Sequence, residues 1–233
     1  GQNDAPVALA VEADADEDGP SITVTADYSD VDASDSHTFG LDTTGTLGLV
    51  TNNNDGTFTY HPNGQFESLD DGETATDTFT YTVTDNSGAS STETVTVTIH
   101  GQNDAPEAVA DSYTTAEDTP LTVAAAGVLA NDSDVDGETL TSILVAGPAH
   151  GTLSLSADGS FVYTPDADYH GPDSFTYKPN DGTADGNTVT VSLTVTAVND
   201  APVITSDGGG DTASVNVAQN TTTVTTVTET EVD

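Results

Sequence analysis

The chain has 233 residues, and its 40 acidic residues against one basic residue, Lys178, give it a formal net charge of -39. Such a chain repels nucleic-acid phosphates and anionic membrane surfaces, which excludes both as partners, and it needs cations to offset its own repulsion. Cysteine is absent and no apolar run is long enough for direct membrane insertion, so we expect bound divalent metal, rather than disulfides, to stabilise the fold.

A collinear internal repeat organises the chain. The motif GQNDAP occupies residues 1–6 and 101–106, and VNDAP follows at 198–202. Further motifs recur in the same order between these markers, such as DGTFTY at 55–60 and DGSFVY at 158–163. The period of about a hundred residues is that of one immunoglobulin-like sandwich. We therefore predict a first repeat at 1–100, a second at 101–198, and the first strands of an incomplete third at 199–233.

Alternating apolar and hydroxyl residues predict half-buried strands in each repeat. The pattern includes Phe79, Tyr81 and Val83, and it continues through 91–99 and 187–197. We expect Lys178-Pro179 to interrupt the strand after Tyr177, and residues 124–130 to offer at most one helical turn. About seven short strands per repeat predict an all-β fold of tandem immunoglobulin- or cadherin-like Greek-key β-sandwiches in an extended array.

The densest acidic loop contains Asp132, Asp134 and Asp136 at alternate positions, followed by Gly137. Carboxylates spaced in this way in an extended loop can point at one ion, and oxygen is the ligand that Ca²⁺ prefers. The loop matches only the first half of an EF-hand, because Ile143 stands where the bidentate Glu is required. We predict a calcium site in this loop without an EF-hand, and a similar but sparser one at Asp30 and Asp32.

Acidic residues also collect at the two linkers between repeats. We predict that the linkers bring distant acids together around Ca²⁺, whose absence would leave each junction flexible. The first group is Glu17, Asp18, Asp85, Asn103, Asp104, Asp134 and Asp136. The second group is Glu117, Asp118, Asp181, Asn199, Asp200, Glu231 and Asp233.

Simpler readings stay open for these residues. The acidic loops can be solvated turns capped by their own backbone, and the linkers can be plain hinges. The five histidines (residues 37, 61, 100, 150 and 170) show no zinc-ligand spacing and fit surface turns better. Because no nucleophile motif is present and chance carboxylate pairs are expected, we predict no enzymatic activity.

Several stretches resemble known repeat families. GQNDAPVA, DGTFTYHPNGQFESLDDGE and DTFTYTVTDNSG look like the VCBS repeats of bacterial adhesins. AEDTPLTVAAAGVLANDSDVDGETLT and DGSFVYTPDADYHGPDSFTY look like their cadherin-like tandem repeats. The resemblance implies calcium binding, type I secretion of an RTX-type adhesin to the bacterial surface, and a role in adhesion or biofilm matrix. Gln219 and Glu231 depart from the pattern in the third repeat.

Three functions remain open at this point. The repeats can act as a calcium-stabilised stalk whose partners are neighbouring repeats, while the parent protein contacts a cell-surface ligand. They can instead form a calcium-dependent module that binds extracellular polysaccharide. In the third reading, strands in 199–233 complete a neighbouring subunit and build a fibre.

Overall fold

The computed structural model describes residues 3–199, 203–205 and 214–216. The chain divides into two compact units. The first unit is Gly1–Asp104 with the loop Asp134–Glu138, and the second is Ala105–Ser133 with Thr139–Asp233. Apart from one 3-10 turn at Gly127–Leu129, all regular structure among the described residues is β, which confirms the predicted fold class.

The first unit is a sandwich of a four-stranded and a three-stranded sheet. Its strands are β1 Val7–Leu9, β2 Val11–Asp16, β3 Ile22–Thr25, β4 Asp27–Ser29, β5 Thr38–Asp42, β6 Leu49–Asn52, β7 Thr57–His61, β8 Thr74–Thr84 and β9 Ser90–His100. One sheet has the order β2-β9-β8-β5, the other β3-β7-β6, and β1 pairs with β4. The edge strand β2 runs parallel to β9, so the end of β2 reaches the end of β9.

The core of the first unit follows from the alternation along β8 and β9. Phe79, Tyr81 and Val83 are buried on one face, as are Val95, Val97 and Ile99 on the neighbouring strand. Antiparallel pairing places Phe79 opposite Val95 and Thr80 opposite Thr94, so apolar and hydroxyl side chains sort onto opposite faces. This confirms the half-buried strands predicted from the sequence.

The second unit repeats this architecture with seven strands. They are β10 Ser112–Ala116, β11 Leu121–Val123, β12 Thr141–Ala146, β13 Gly151–Leu155, β14 Phe161–Pro165, β15 Gly171–Asn180 and β16 Val189–Thr196. The sheets have the orders β10-β16-β15-β12 and β11-β14-β13, and β10 again runs parallel to the last strand. Beyond them, β17 Val203–Thr205 pairs with β18 Ser214–Asn216.

The predicted interruption at Lys178-Pro179 is wrong, because β15 continues to Asn180. Pairing with β16 ends at Tyr177 and Val189, before the proline is reached. The Pro179 carbonyl accepts a hydrogen bond from Gly186 N on that side. The backbone N and O of a strand residue point to the same side of the strand. The N–H that Pro179 lacks would therefore point toward β16, which has no residue paired with Pro179.

Candidate metal-binding sites

Glu17 is a buried carboxylate that lies just beyond the end of β2. Its N–H donates to the carbonyl of His100 at 3.0 Å, which continues the parallel pairing of β2 and β9. Its Oε1 accepts a hydrogen bond from Gln102 N at 2.7 Å. The residue is only 2% exposed, and Oε2 is buried without a hydrogen-bond partner. A buried, unpaired carboxylate oxygen costs free energy unless a cation or a proton compensates it.

Other carboxylates surround Glu17. Burial raises the pKa of Glu17, and the charges of Asp136, Asp104 and Asp18 raise it further, against the lowering effect of the Gln102 N–H bond. Burial also raises the pKa of Glu67, and the charges of Asp18, Asp104 and Asp136 raise that pKa further. Carboxylates repel one another in this way only when they lie close together.

The loop 134–138 supplies the remaining acids of this group. Asp136 Oδ2 accepts a hydrogen bond from Asp104 N at 2.7 Å, and Asp134 Oδ1 accepts one from Asp136 N at 3.0 Å. Carboxylate oxygens of Asp70, Asp136 and Glu138 lie within 4.8 Å of one another. Burial, followed by the neighbouring Asp134, raises the pKa of Glu138 to about 7.

We call these eight residues the Glu17 cluster. They are Glu17, Asp18, Glu67, Asp70, Asp104, Asp134, Asp136 and Glu138. Four buried carboxylate oxygens in the cluster have no hydrogen-bond partner: Glu17 Oε2, Asp134 Oδ2, Asp136 Oδ1 and Glu138 Oε2. Carboxylate oxygens without a hydrogen-bond partner are the donors that a hard divalent cation takes, so these residues fit calcium. Asn103, also predicted here, is next to Asp104 and donates from Nδ2 to the Asp104 carbonyl at 2.7 Å.

Asp132 does not join Asp134 and Asp136, so the predicted three-carboxylate calcium loop is wrong in its grouping. Asp132 belongs to the second unit, where Oδ1 accepts a hydrogen bond from Val109 N at 2.9 Å. Its Oδ2 accepts one from the Tyr177 hydroxyl at 2.9 Å. The three acids alternate along the loop, but the chain passes from one unit to the other between Ser133 and Asp134.

Asp85 and Asp181 are also misplaced in the predicted groups. Asp85 follows the end of β8, which lies opposite Ser90 at the start of β9, whereas Glu17 lies at the end of β9. The length of β9, roughly 30 Å at about 3.3 Å per residue, therefore separates them. Asp181 follows the end of β15 and is separated from Glu117 in the same way, because Glu117 N donates to Thr196 O at the end of β16.

Asp85 instead belongs to a second acidic group at the far end of the first unit. Carboxylate oxygens of Asp30, Asp35 and Asp85 lie within 4.8 Å of one another, and His37 Nε2 is 2.9 Å from Asp30 Oδ2. We call these four residues the Asp30 cluster. Asp32 is adjacent, and its Oδ2 accepts a hydrogen bond from Asp4 N at 2.7 Å.

Glu117 reproduces the geometry of Glu17 in the second unit. Its Oε1 accepts a hydrogen bond from Val198 N at 2.6 Å, its Oε2 is buried without a hydrogen-bond partner, and the residue is 1% exposed. His170 Nδ1 is 3.8 Å from Glu117 Oε2. Nearby, Asp118 Oδ1 accepts a hydrogen bond from Asp168 N at 3.3 Å.

The other predicted ligands of this second group are less informative. Asp181 Oδ1 accepts hydrogen bonds from Thr183 N and Ala184 N, which is the pattern of a capped turn. Asn199 is the last residue described before β17, while Asp200, Glu231 and Asp233 lie outside the described residues.

Sequence reasoning missed Glu67, Asp70, Glu138, Asp35 and His37. The first two lie in the segment between β7 and β8, where their spacing follows no ligand motif. His37 was assigned to a surface turn, but its side chain is 11% exposed and that of its partner Asp30 is 4% exposed. A histidine two residues after Asp35 and seven after Asp30 was the available signal for that contact.

Comparison with known proteins places the chain in a family. The model of the bacterial cadherin-like domain matches residues 3–101 and again 103–197. The chain therefore belongs to the bacterial cadherin-like domain family and contains two tandem copies of the domain. Domains of this family are of extracellular type and are typically not enzymes.

Solved structures support the same fold. The human CDH23 fragment EC21-23 is 18% identical with a TM-score of 0.57, and the match covers 94% of this chain and 81% of that chain. Mouse cadherin-23 EC22-24 is 20% identical, TM-score 0.55, over 84% and 66% of the two chains. Protocadherin gamma B7 domains 1-4 are 18% identical, TM-score 0.52, over 89% and 55%. At these identities the likeness shows the fold alone.

The remaining findings add no further argument about function. Two endo-fucoidan hydrolases of glycoside hydrolase family 107 also match, but this chain spans only 29% of their length, and their TM-score of 0.34 supports no argument. A comparison with curated proteins gives no match.

Within the described ranges, no helix is long and apolar enough to span a membrane.

Proposed function

We propose that this chain is a calcium-stabilised repeat segment of an extracellular adhesion protein, with Ca²⁺ bound by the Glu17 cluster. The observation that carries the proposal is Glu17 Oε2, a buried oxygen without a hydrogen-bond partner among further carboxylates. In water-poor surroundings these acids repel one another, and a divalent cation converts that repulsion into attraction.

The donors of the Glu17 cluster come from separate parts of the sequence. Glu17 follows β2, Glu67 and Asp70 precede β8, Asp104 follows β9, and the loop 134–138 returns from the second unit. A cation shared by these segments would cross-link them and favour the folded chain over the unfolded one. Binding and folding would therefore be coupled.

The cadherin-like family supports an adhesive role in the form of a stalk. Glu117 shares with Glu17 the backbone N–H bond to Oε1 and the buried Oε2 without a hydrogen-bond partner. These shared features support a second calcium site, for which Asp118, Asn199 and Asp200 are the further ligands predicted from the sequence. Secretion by a type I system, attachment to a biofilm matrix and the VCBS resemblance of the first repeat remain part of this proposal. The polysaccharide-binding and fibre readings have no specific contact among the described residues in their favour.

Calorimetric titration of the metal-free chain with Ca²⁺ tests the proposal. We expect saturable binding with a dissociation constant of about 10⁻⁴ M, or tighter because many carboxylates converge. Glu17→Gln keeps the side-chain size and the bond from Gln102 N but removes the charge, so it should weaken the tightest site at least tenfold. The matched control is Glu12→Gln, at an exposed position on β2, the strand that precedes Glu17. Equal titrations for both variants and the unchanged chain would contradict the assignment.

A further inference from the structure

The turn after β7 contains the one Asn-Gly pair in the sequence, Asn63-Gly64. Both residues are exposed, and both have a left-handed backbone conformation, with φ of 60° and 65°. Asparagine and glycine tolerate this conformation better than other residues, which explains the pair at this turn. The same pair favours attack of the backbone on the asparagine side chain, because glycine has no Cβ to shield its nitrogen.

The two groups that would react are not held by other contacts. Asn63 N donates to His61 Nδ1 at 2.8 Å, and the Asn63 carbonyl accepts a hydrogen bond from Gln65 Nε2 at 3.3 Å. In the part of the chain that the structure describes, the Asn63 side-chain amide and Gly64 N have no hydrogen-bond partner. Neither group therefore has to give up a hydrogen bond before the two approach each other.

The reaction open to this pair is deamidation through a cyclic imide. Gly64 N attacks Asn63 Cγ, the bond from Cγ to Nδ2 breaks, and ammonia leaves with the proton that Gly64 N loses. Water then opens the imide at either carbonyl. One opening gives aspartate, and the other gives isoaspartate, in which the main chain runs through the former side-chain carbon. Both products carry one more negative charge than asparagine.

The turn lies beside a carboxylate of the Glu17 cluster. A Cβ atom placed on Gly64 would be 3.8 Å from Glu67 Oε1. Pro62 before the turn and Phe66 after it are both buried. Isoaspartate adds one main-chain atom between these two buried residues, so the exposed segment between them has to change its path. Glu67 directly follows Phe66 and is therefore the first residue of the cluster to be affected.

We propose that Asn63-Gly64 is a site of spontaneous deamidation, and that its isoaspartate product displaces Glu67 from the Glu17 cluster. The part that concerns Glu67 rests on the calcium binding proposed for that cluster. The chain would then lose calcium affinity as it ages, without cleavage of the backbone.

The modification is tested by incubating the metal-free full chain at mildly alkaline pH and digesting it with a protease that cleaves before aspartate. The fragment from Asp55 to Leu69 should gain about 1 Da as the amide becomes a carboxyl group. Aspartate at position 63 creates a new cleavage point, whereas isoaspartate does not. The internal control is Asn54, which is exposed with φ of 63° but is followed by Asp55 instead of glycine. We expect Asn63 to react at least tenfold faster than Asn54, and equal rates, or no reaction at Asn63, would overturn the site.

Calcium titration before and after the incubation tests the effect on the Glu17 cluster. Affinity at the tightest site should fall at least threefold in fully converted chain. Gly64→Ala, in which a Cβ hinders the attack, should keep its own starting affinity, and circular dichroism shows that this variant retains the fold. Unchanged affinity after full conversion contradicts the displacement of Glu67. If the fresh chain binds no calcium, the displacement fails with the proposed function, while the mass change decides the modification separately.

Discussion

At the residue scale, one buried carboxylate in each unit stabilises the fold without any metal. Asp77 is 4% exposed and accepts hydrogen bonds from Leu47 N, Gly48 N, Thr78 N and the Tyr60 hydroxyl. Asp173 does the same in the second unit, with Ala149 N, His150 N, Ser174 N and the Tyr163 hydroxyl. Asp77 thereby fixes the loop before β6 to the start of the long strand β8. Asp173 fixes the loop before β13 to the start of β15 in the same way.

The first prediction concerns Asp77. In Asp77→Asn, an amide NH₂ would face backbone N–H donors, leaving buried groups unpaired, at a cost of about 2–4 kcal/mol. We expect thermal unfolding in chelator to show the first unit melting roughly 10 °C lower. Asp27→Asn, at an exposed position on β4, serves as the control and should shift melting little. Equal effects of the two substitutions would contradict this role.

The second prediction concerns Asp111, whose Oδ2 is buried without a hydrogen-bond partner. Burial, followed by the charge of Asp132, raises its pKa to about 6. Because the folded pKa exceeds the unfolded value, the folded chain binds the proton more tightly. This favourable contribution is complete below about pH 4 and is lost as the pH rises through about 6.

Asp111→Asn removes that titration. We expect it to stabilise the second unit at pH 7 by on the order of 1–2 kcal/mol and to flatten the pH dependence between about 4 and 6. Urea unfolding at several pH values in chelator measures the effect. If the variant is less stable at pH 7 and its stability depends on pH as before, the Asp111 carboxylate is not the titrating group.

At the element scale, strand direction determines which acids can meet. The parallel pairing of β2 with β9 carries Glu17 to the end of β9, next to the linker that contains Asp104. The antiparallel pairing of β8 with β9 carries Asp85 to the opposite end. The two clusters of the first unit therefore lie at opposite ends of the same sheet.

This separation yields the third prediction. In the presence of Ca²⁺, the losses of stability in Glu17→Gln and Asp85→Asn should add in the double variant to within about 0.5 kcal/mol. Urea unfolding of the four proteins in the cycle provides the measurement. A coupling energy above about 1 kcal/mol would mean that the two carboxylates share a site, as the sequence grouping supposed.

The elements themselves were largely predictable, whereas the convergence of the acids was predictable only in part. Alternation at 91–99 predicts a half-buried strand because only one face of a strand meets the core, and Val95, Val97 and Ile99 are fully buried. The structure brings Glu17, Asp18, Asp104, Asp134 and Asp136 near one another, and the repeat motifs that bracket the linker were the signal for this; their role as calcium ligands stays a prediction. The error with Asp85 arose because alternation does not give strand direction.

Some residues carried no local signal at all. Glu67 and Asp70 lie in an irregular segment whose path depends on Phe66 packing into the core and on the Leu69 N–H bond to the Phe66 carbonyl. Asp132 looked like a calcium ligand by its spacing, but the Tyr177 hydroxyl reaches it from β15. These contacts join residues far apart in the sequence, so a single sequence does not specify them.

At the scale of the whole molecule, the net charge of -39 opposes compaction, and two different effects of calcium can relieve it. Any salt screens surface repulsion, since the Debye length at 0.1 M ionic strength is about 10 Å. Specific binding differs from screening because it acts only on the folded chain and saturates. The buried oxygens of the Glu17 cluster are shielded from bulk ions and require the second effect.

The most direct test is the melting temperature of the chain in about 10 mM CaCl₂ compared with NaCl and chelator at matched ionic strength. With a dissociation constant near 10⁻⁴ M, one site contributes about 2.7 kcal/mol, so melting should rise by roughly 10 °C or more in calcium. Glu17→Gln should lose most of that rise. Identical melting curves in calcium and in matched NaCl would contradict a calcium-stabilised fold.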